Sequence, residues 1–428
     1  MVDGRKVEFS DDYLWLLFVT HQYVTVTGDT SILREEVPFC EGEALKPGEG
    51  ERVMTYRSHW GGEAPSHSVT LYEHLRRAMD RARVRMGSHG LPLMGCGDWN
   101  DGMSAVGVQG RGESVWVALF LCDLLPKMEE LTQLTRGADV AYCEELSTEH
   151  SALRAALQQW AWDGKWFLRA FFDNGDAMGS RKNIECQIDL ISQAWSVLTD
   201  VATPEQKESI FRETDNRLVN REEEMIQLLT PAFGDSKPSP GYIANYPEGV
   251  RENGGQYTHG AMWYIMAQLK EGRNDMAYYL YSMINPVHRT QTVADVLKYK
   301  VEPFCMAADI YSNPQHRGRG GWTWYTGSAS WAYKTGMESI LGLRKEGERL
   351  TIDPHIPTEW PAFTLEYREG RSVYVIHYKQ GGDHPMVIEL VDDGERHEMG
   401  LTPDPSPRGE GRKGGEFSKG RVGLRFKV

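Results

Sequence analysis

Two carboxylates, an indole and a side-chain amide fall in one run, Asp98-Trp99-Asn100-Asp101, between Gly97 and Gly102. The glycines let the backbone turn tightly and approach a ligand closely. Trp99 offers a flat apolar face, Asn100 pairs with hydroxyls, and an Asp can serve as an acid, a combination that suits a sugar. The plainer reading is a polar loop built on an Asx turn. A second dense stretch runs from Tyr246 to His259 and packs Glu248, Arg251, Glu252, Asn253, Gln256 and His259 around glycines ahead of a helix. Glu252 can act as a base or a hydroxyl ligand. His259 can bind an anion when protonated or donate one hydrogen bond when neutral, unless it is a buried His satisfied by a backbone carbonyl. A third stretch, Asn313 to Trp331, contains Thr326-Gly327-Ser328 at the opening of a helix. Small hydroxylated residues and free N–H groups there make an anion site, although simple helix capping uses the same residue types. The pattern G-x-x-x-x-G-K-[ST] is absent, so this is not a nucleotide P-loop.

These residues must be held by a chain of 428 residues, enough for one large domain and a small one with a sizeable core. A formal net charge of −14 argues against nucleic acid or an anionic membrane surface as a partner and says little about a neutral sugar. Thirteen Trp and nineteen Tyr are consistent with a sugar cleft, although aromatics also fill cores. Cys40, Cys96, Cys122, Cys143, Cys186 and Cys305 are widely scattered and form no C-x-x-C pair. No metal site is therefore expected, and the thiols read as reduced ones of a cytoplasmic protein. The first residues lack the apolar core of a signal peptide, and no apolar run reaches the roughly 20 residues that span a bilayer. A soluble chain without direct membrane insertion is expected.

Ser10-Asp11-Asp12 opens a helix on which Leu14, Leu17, Phe18 and Val24 recur at helical spacing, closed by Gly28. Residues 37–67, rich in Gly, Pro and Glu, read as a long loop. A helix resumes near Ser68. Val115 to Leu125 is almost continuously apolar and predicts a helix buried on all sides, with Pro126 within or near its end. Further helices are expected at about 148–162, 184–199, 204–220, 256–270, 273–284 and 327–342. In the second of these, Ile184, Ile188, Ile191, Trp195 and Leu198 share a face. Lys165 to Phe172 reads as extended and ends in a hairpin turn at Asp173-Asn174-Gly175-Asp176. Successive buried and amphipathic helices imply two concentric layers, an α/α toroid, and disfavour a parallel α/β fold. After Gly342, short β-rich runs predict a small antiparallel unit. The expected organisation is a mainly α barrel over 1–344, a β unit over 345–400, and a disordered low-complexity tail over 401–428.

The three stretches together resemble glycoside hydrolase family 94, the inverting disaccharide and oligoglucoside phosphorylases, and within it the phosphorylase-like domain of cyclic β-1,2-glucan synthases. The likeness runs from Ser10-Asp11-Asp12-Tyr13-Leu14-Trp15-Leu16 to about Gly400 and takes in Gly90-Leu91-Pro92-Leu93-Met94-Gly95 and Gly110-Arg111-Gly112-Glu113-Ser114-Val115-Trp116. The resemblance implies an (α/α)6 barrel and single-displacement phosphorolysis of a β-glucan, β-1,2-linked by that likeness, to α-glucose 1-phosphate. It implies Asp101 as the general acid and His259, Thr326 and Gly327 as phosphate contacts. Trp99 matches a substrate-contacting residue and Tyr246 an acceptor-side one; Asp98, Arg251 and Glu252 join them as candidate substrate-binding residues. Inorganic phosphate is then a co-substrate, and no cofactor is implied. Where some members carry a phosphate-contacting Gln, this chain has Ala308.

In that family an Arg of the phosphate site, and an Arg and an Asp of the donor-sugar site, lie upstream of Ser-Asp-Asp, where this chain begins. The resemblance therefore implies an incomplete barrel, C-shaped, with an exposed apolar edge beside Asp101 and an upstream synthase fragment as partner. Two other readings stand beside it. One is an inverting α/α-barrel hydrolase with Asp101 as acid and Glu252 or another carboxylate as base. The other is a non-catalytic carbohydrate-binding fragment. Phosphate dependence separates the first from the main reading, and complementation by an upstream fragment separates the second.

Overall fold

The computed structural model describes residues 2–7, 9–39, 51–56, 68–135, 137, 139–381, 386–392, 395–399 and 422–425. Helix α1 (Asp12–Thr27) stops at Gly28, whose φ of 72° turns its N–H back to the Val24 carbonyl. Then follow α2 (Leu71–Val84), α3 (Val115–Gln133), α4 (Val140–Ala156), α5 (Leu190–Leu198) and α6 (Pro204–Arg217). The series continues with α7 (Thr258–Lys270), α8 (Asn274–Ile284), α9 (Val293–Tyr299) and α10 (Thr326–Lys334).

Contacts sort these helices into two layers. The chain α1–α3–α5–α7–α10 packs neighbour to neighbour, while α2 lies on α1 and α3, α4 on α3, α6 on α5, and α8 on α7. The sequence explains the sorting. Every residue from Val115 to Cys122 on α3 is buried, as an inner helix requires, whereas α2 buries only the Leu75, Met79 and Ala82 stripe. Each inner helix also sends an aromatic ring to a central stack. Trp263 of α7 lies 6.4 Å from Trp15 of α1, 5.9 Å from Trp116 of α3, 5.2 Å from Trp195 of α5 and 5.7 Å from Trp331 of α10. Much of the Trp content thus serves as the axis of the arc.

Short strands lead into the inner helices and fix where they begin. Glu113–Ser114 pairs with Ala170–Phe171 ahead of α3, Ile188–Asp189 with Leu229–Thr230 ahead of α5, and Gln256–Tyr257 with Asp309–Ile310 ahead of α7. The turn at Asp173 to Asp176 joins Ala170–Phe171 to Ala177–Met178 as an antiparallel hairpin. Beyond α10, Ala362–Glu369, Ser372–Lys379, Met386–Asp392 and Glu395–Met399 form a four-stranded antiparallel meander. Leu343–Glu346 pairs with Arg349–Ile352.

Several expectations need correction. Helix α3 runs through Pro126 to Gln133. Pro126 has no N–H for the Cys122 carbonyl, yet the helix continues, packed along its length on α4. Helix α4 starts at Val140, where Asp139 accepts the Tyr142 N–H. Helix α5 starts at Leu190, not 184; strand pairing claims Ile188, and Ile184 is 88% exposed. Helix α9 was not anticipated, although Thr292 and Asp295 form a capping box. Within the expected loop 37–67, Glu51–Tyr56 pairs with Val2–Val7, and residues 40–50 and 57–67 lie outside the described residues. Val422–Arg425 of the expected disordered tail pairs with Arg349–Ile352; residues 401–421 and 426–428 lie outside the described residues. Among the described residues no helix is long and apolar enough to cross a membrane.

One buried acid gives a stability prediction. Asp11 is 3% exposed, and burial, then the neighbouring Asp98 charge, push its carboxyl up to about 7. An unfolded Asp titrates near 3.9, so between about pH 4 and 7 the folded chain keeps a proton the unfolded chain releases. This group's contribution to stability is therefore present at low pH and lost as pH rises through 7. Asp11→Asn keeps an oxygen for the Trp15 Nε1–H, 2.9 Å away, and removes the charge. Its melting temperature relative to wild type should rise between pH 5 and pH 8; a constant difference would show that Asp11 does not titrate in this window.

Candidate active site

The sequence stretches singled out above converge at one end of the arc, where the inner helices begin. Asp11 and Asp12 open α1, Ser114 caps α3, Asp189 caps α5, His259 is the second residue of α7, and Thr326 and Gly327 open α10. Five helix N-termini pointing to one place present unpaired N–H groups and positive dipole ends.

The loop 97–103 is anchored from below. Asp98 is 2% exposed and accepts Arg169 Nη1 at 2.7 Å, Arg169 Nη2 at 2.6 Å, Ser114 Oγ at 2.6 Å and the Asn100 N–H at 3.0 Å. Ser114 in turn caps α3 through the Val117 N–H, and Arg169 Nε lies 3.4 Å from Asp189, the cap of α5. Burial works against the Arg169 charge, but Asp98 and Asp189 outweigh it and hold its pKa above the ordinary value. Asp98 was expected to contact substrate; its oxygens are instead taken by this buried network, so it holds the loop. Asn100 is 1% exposed, and neither end of its amide has a partner among the described residues.

Anchoring Asp98 turns Trp99 and Asp101 the other way. Trp99 covers the aromatic stack, 5.2 Å from Trp263 and edge-on to Tyr257 and His259 at 5.3 Å each. Asp101 is exposed, close enough to Tyr242 to raise its pKa after burial, and close enough to Asp12 of α1 to raise that acid's pKa, again after burial.

Trp99 also fixes the state of His259. Its Nε1–H donates to His259 Nδ1 at 3.3 Å, so the ring proton sits on Nε2, which has no partner among the described residues. Burial pulls the His259 pKa down to about 3. Of the two roles open to this residue, the neutral donor is the one this environment permits. Gly327 lies beside it: a Cβ there would be 3.6 Å from Nδ1. The Thr326 side chain lies outside the described residues.

The far wall is built from 242–257 and 322–325. Arg251 pairs with Glu252 at 3.2 Å and places its guanidinium over Tyr246 and Trp322. Glu252 is 6% exposed. Trp322 and Tyr325 stack at 6.1 Å with both rings exposed, an aromatic rim above the charged pair. Tyr246 is influenced by Arg251, Glu252 and Asp101, so the candidate acid and the Tyr246–Glu252 group belong to one cluster. The sequence reading did not single out Arg169, Tyr242 or Asp12. Arg169 had a signal: a lone cation inside Trp166-Phe167-Leu168-Arg169-Ala170-Phe171-Phe172 must be paired if that run is buried. Tyr242 had none. Among the described residues no group of three or more His, Cys, Asp or Glu could hold a metal ion.

Beside the site, a cavity of about 400 Å³ lies between α1 and α10, which meet at Phe18 and Trp331, 6.0 Å apart, and through Lys334 Nζ donating to Gln22 Oε1 at 3.4 Å. Trp15, Phe18, Val19 and Gln22 line one side, Ser330, Trp331 and Lys334 the other, and Trp99 and His259 complete it. Val19 is 55% exposed and Tyr23 42%, unusual for an inner helix.

A family model described as the catalytic domain of the glycosyl hydrolase 94 superfamily matches residues 60–342. The chain is 41% identical over 373 residues to a cyclic beta-(1,2)-glucan synthase, NdvB, of Rhizobium meliloti (strain 1021), covering 87% of this chain and 13% of that protein. It is 28% identical over 388 residues to an N,N'-diacetylchitobiose phosphorylase of Vibrio proteolyticus (90% of this chain, 44% of that one). It is 23% identical over 388 residues to a 1,2-beta-oligoglucan phosphorylase of Listeria innocua serovar 6a (83% and 33%). The chain thus spans less than half the length of each of these relatives. The crystal structure of a GH78 family rhamnosidase of Bacillus sp. GL1 superposes with a TM-score of 0.50 at 15% identity, over 89% of this chain and 30% of that one. At that identity the likeness is one of fold, a barrel-like α/α arrangement.

Proposed function

The chain belongs to the glycosyl hydrolase 94 superfamily, and on that premise we propose that it carries the catalytic barrel of an inverting glycoside phosphorylase acting on β-glucosides, β-1,2-glucan first among them. Asp101 protonates the glycosidic oxygen as the bond to the anomeric carbon breaks. Phosphate, held by His259 and the N-terminus of α10 at Thr326 and Gly327, attacks that carbon from the opposite face and yields α-glucose 1-phosphate. Trp99 supports the sugar ring. Tyr246, Arg251 and Glu252 bind hydroxyls on the acceptor side, and Asp98 acts through the loop it anchors.

The observation that carries this reading is the pairing of one exposed carboxylic acid with a neutral His donor at converging helix N-termini. An inverting hydrolase needs a second carboxylate free to activate water. Glu252, the candidate for that role, is engaged by the Arg251 guanidinium. Phosphate is already a nucleophile and needs donors rather than a base. No cofactor enters the chemistry, and a cytoplasmic setting, read from the scattered cysteines, belongs to the same proposal.

The finer architecture is part of it too. The arc of inner helices is part of an (α/α)6 ring whose ends, α1 and α10, touch through Phe18 and Trp331 and through Gln22 and Lys334, with the β unit of 345–400 appended. The aromatic-lined cavity between those two helices, and the exposure of Val19 and Tyr23, leave an apolar face that an upstream synthase fragment would cover.

Product analysis with β-1,2-glucooligosaccharides, with and without phosphate and with and without the upstream fragment, tests the reading. Phosphate-dependent release of α-glucose 1-phosphate is expected. Release of free glucose that ignores phosphate would favour a hydrolase, and sugar binding without turnover in every arm would favour a binding fragment.

His259→Ala should raise KM for phosphate roughly 10- to 100-fold, the worth of a hydrogen bond to a charged group, with a much smaller effect on KM for glucan. His259 stays neutral, so KM for phosphate should show no inflection from it between about pH 5.5 and 8. A larger effect on glucan than on phosphate would mean that His259 serves the sugar.

A further inference from the structure

We propose that Tyr242 is the positioning residue of the acid Asp101, through a hydrogen bond from its hydroxyl to the carboxylate; this rests on the phosphorylase reading of the site.

The geometry is set by backbone rather than by flexible side chains. The turn 240–245 is stitched to the loop 102–105 by the Ile243 N–H to the Gly102 carbonyl at 2.8 Å, the Ala105 N–H to the Pro240 carbonyl at 3.1 Å, and the Tyr242 N–H to Ser104 Oγ at 3.3 Å. Gly241 has a φ of 118°, and a Cβ there would meet the Ser104 nitrogen at 2.4 Å, so the two segments touch without room for a side chain. Ile243 is fully buried and packs on Gly102. These contacts hold Tyr242 against the residue that follows Asp101. The Tyr242 ring is braced edge-on by Tyr246 at 6.2 Å. Its hydroxyl faces Asp101, and burial together with that neighbouring carboxylate raises the Tyr242 pKa, so the phenol keeps its proton.

The other ionisable groups facing this pair are Asp12 from α1 and, across the cleft, Tyr246, Glu252 and Arg251. Asp12 and Glu252 disfavour a second negative charge. Tyr242 works in the opposite sense, because its bond is strongest to the carboxylate left behind. As the Asp101 proton moves to the glycosidic oxygen and the C–O bond breaks, negative charge grows on Asp101 where the phenol already points. The leaving alcohol departs neutral, and the carboxylate stays oriented toward the oxygen that must return its proton in the reverse direction.

Tyr242→Phe removes the hydroxyl and keeps the ring, so folding should be unaffected and the melting temperature close to wild type. Phosphate-dependent turnover of β-glucooligosaccharide should fall roughly 10- to 100-fold, with KM for phosphate unchanged. An aryl β-glucoside with an acidic phenol needs no proton to leave, and its phosphorolysis should be nearly indifferent to the substitution. Unchanged glucan turnover in Tyr242→Phe, or equal losses on both substrates, would overturn the role of Tyr242. A wild-type chain with no phosphate-dependent turnover on either substrate, even with the upstream fragment added, would instead overturn the reading of the site, and this inference with it.

Discussion

Asp101→Asn should reduce phosphate-dependent turnover of β-glucan by roughly 100- to 10,000-fold, the range that a positioned general acid supplies. The amide keeps the size of the side chain and its contact with Tyr242 but has no proton to give, so the sugar would have to leave as an alkoxide. Binding should survive, and the loss should appear in kcat rather than in KM for phosphate. An aryl glucoside with an acidic leaving group should recover most of the lost rate. Glu252→Gln provides the contrast. It weakens the pair with Arg251 and disturbs the acceptor side, but the reaction needs no base, so its loss should be smaller and should appear mainly in KM for glucan. Equal losses at both positions, with activity indifferent to phosphate, would identify a pair of acid and base carboxylates and hence a hydrolase.

What the sequence discloses here depends on whether a feature is local. Helical spacing on α1, the apolar run of α3 and the Asp173–Asp176 turn are local patterns, and the structure keeps them. The errors fall where distant segments decide. Pro126 should weaken its helix, yet α3 runs on through it to Gln133, packed on α4. The spacing from Ile184 looks helical until Ile188–Asp189 pairs with a strand some forty residues later. The site divides in the same way. Trp99, Asp101 and His259 stand in dense, glycine-flanked stretches and can be picked out by residue type. Asp98 belongs to the same stretch, yet its role is set by Arg169, seventy-one positions away, and residue type alone cannot tell an acid facing a sugar from one facing a buried cation. Tyr242 is invisible for the same reason, since its function depends on where the turn 240–245 is fastened.

The buried Arg169 carries the second large effect. It is fully enclosed and stands between Asp98 and Asp189, each about 1% to 2% exposed. Met at this position would fill much the same volume and leave both carboxylates without their cation. Breaking a buried pair by removing one partner costs about 3–5 kcal/mol, a large part of the 5–15 kcal/mol that holds a typical domain together. Burial already pushes the Asp189 carboxyl up to about 6 with the arginine in place. Without it, Asp189 loses the charge that opposes burial and should take up a proton more readily, so the variant should regain stability as pH is lowered toward 5. Two caps fail together: Ser114 at α3 loses a partner that is itself held by Arg169, and Asp189 at α5 loses its counter-charge. The double variant Asp98→Asn with Arg169→Met should therefore be less destabilised than the sum of the single variants, because the second change removes a charge the first left stranded. Urea unfolding of the four proteins at pH 5 and pH 7.5 measures this coupling directly. If Arg169→Met unfolds at the wild-type urea concentration, or the two changes simply add, the network does not hold the Asp101 loop to the inner helices, and the position of the acid must be set by the Tyr242 side alone.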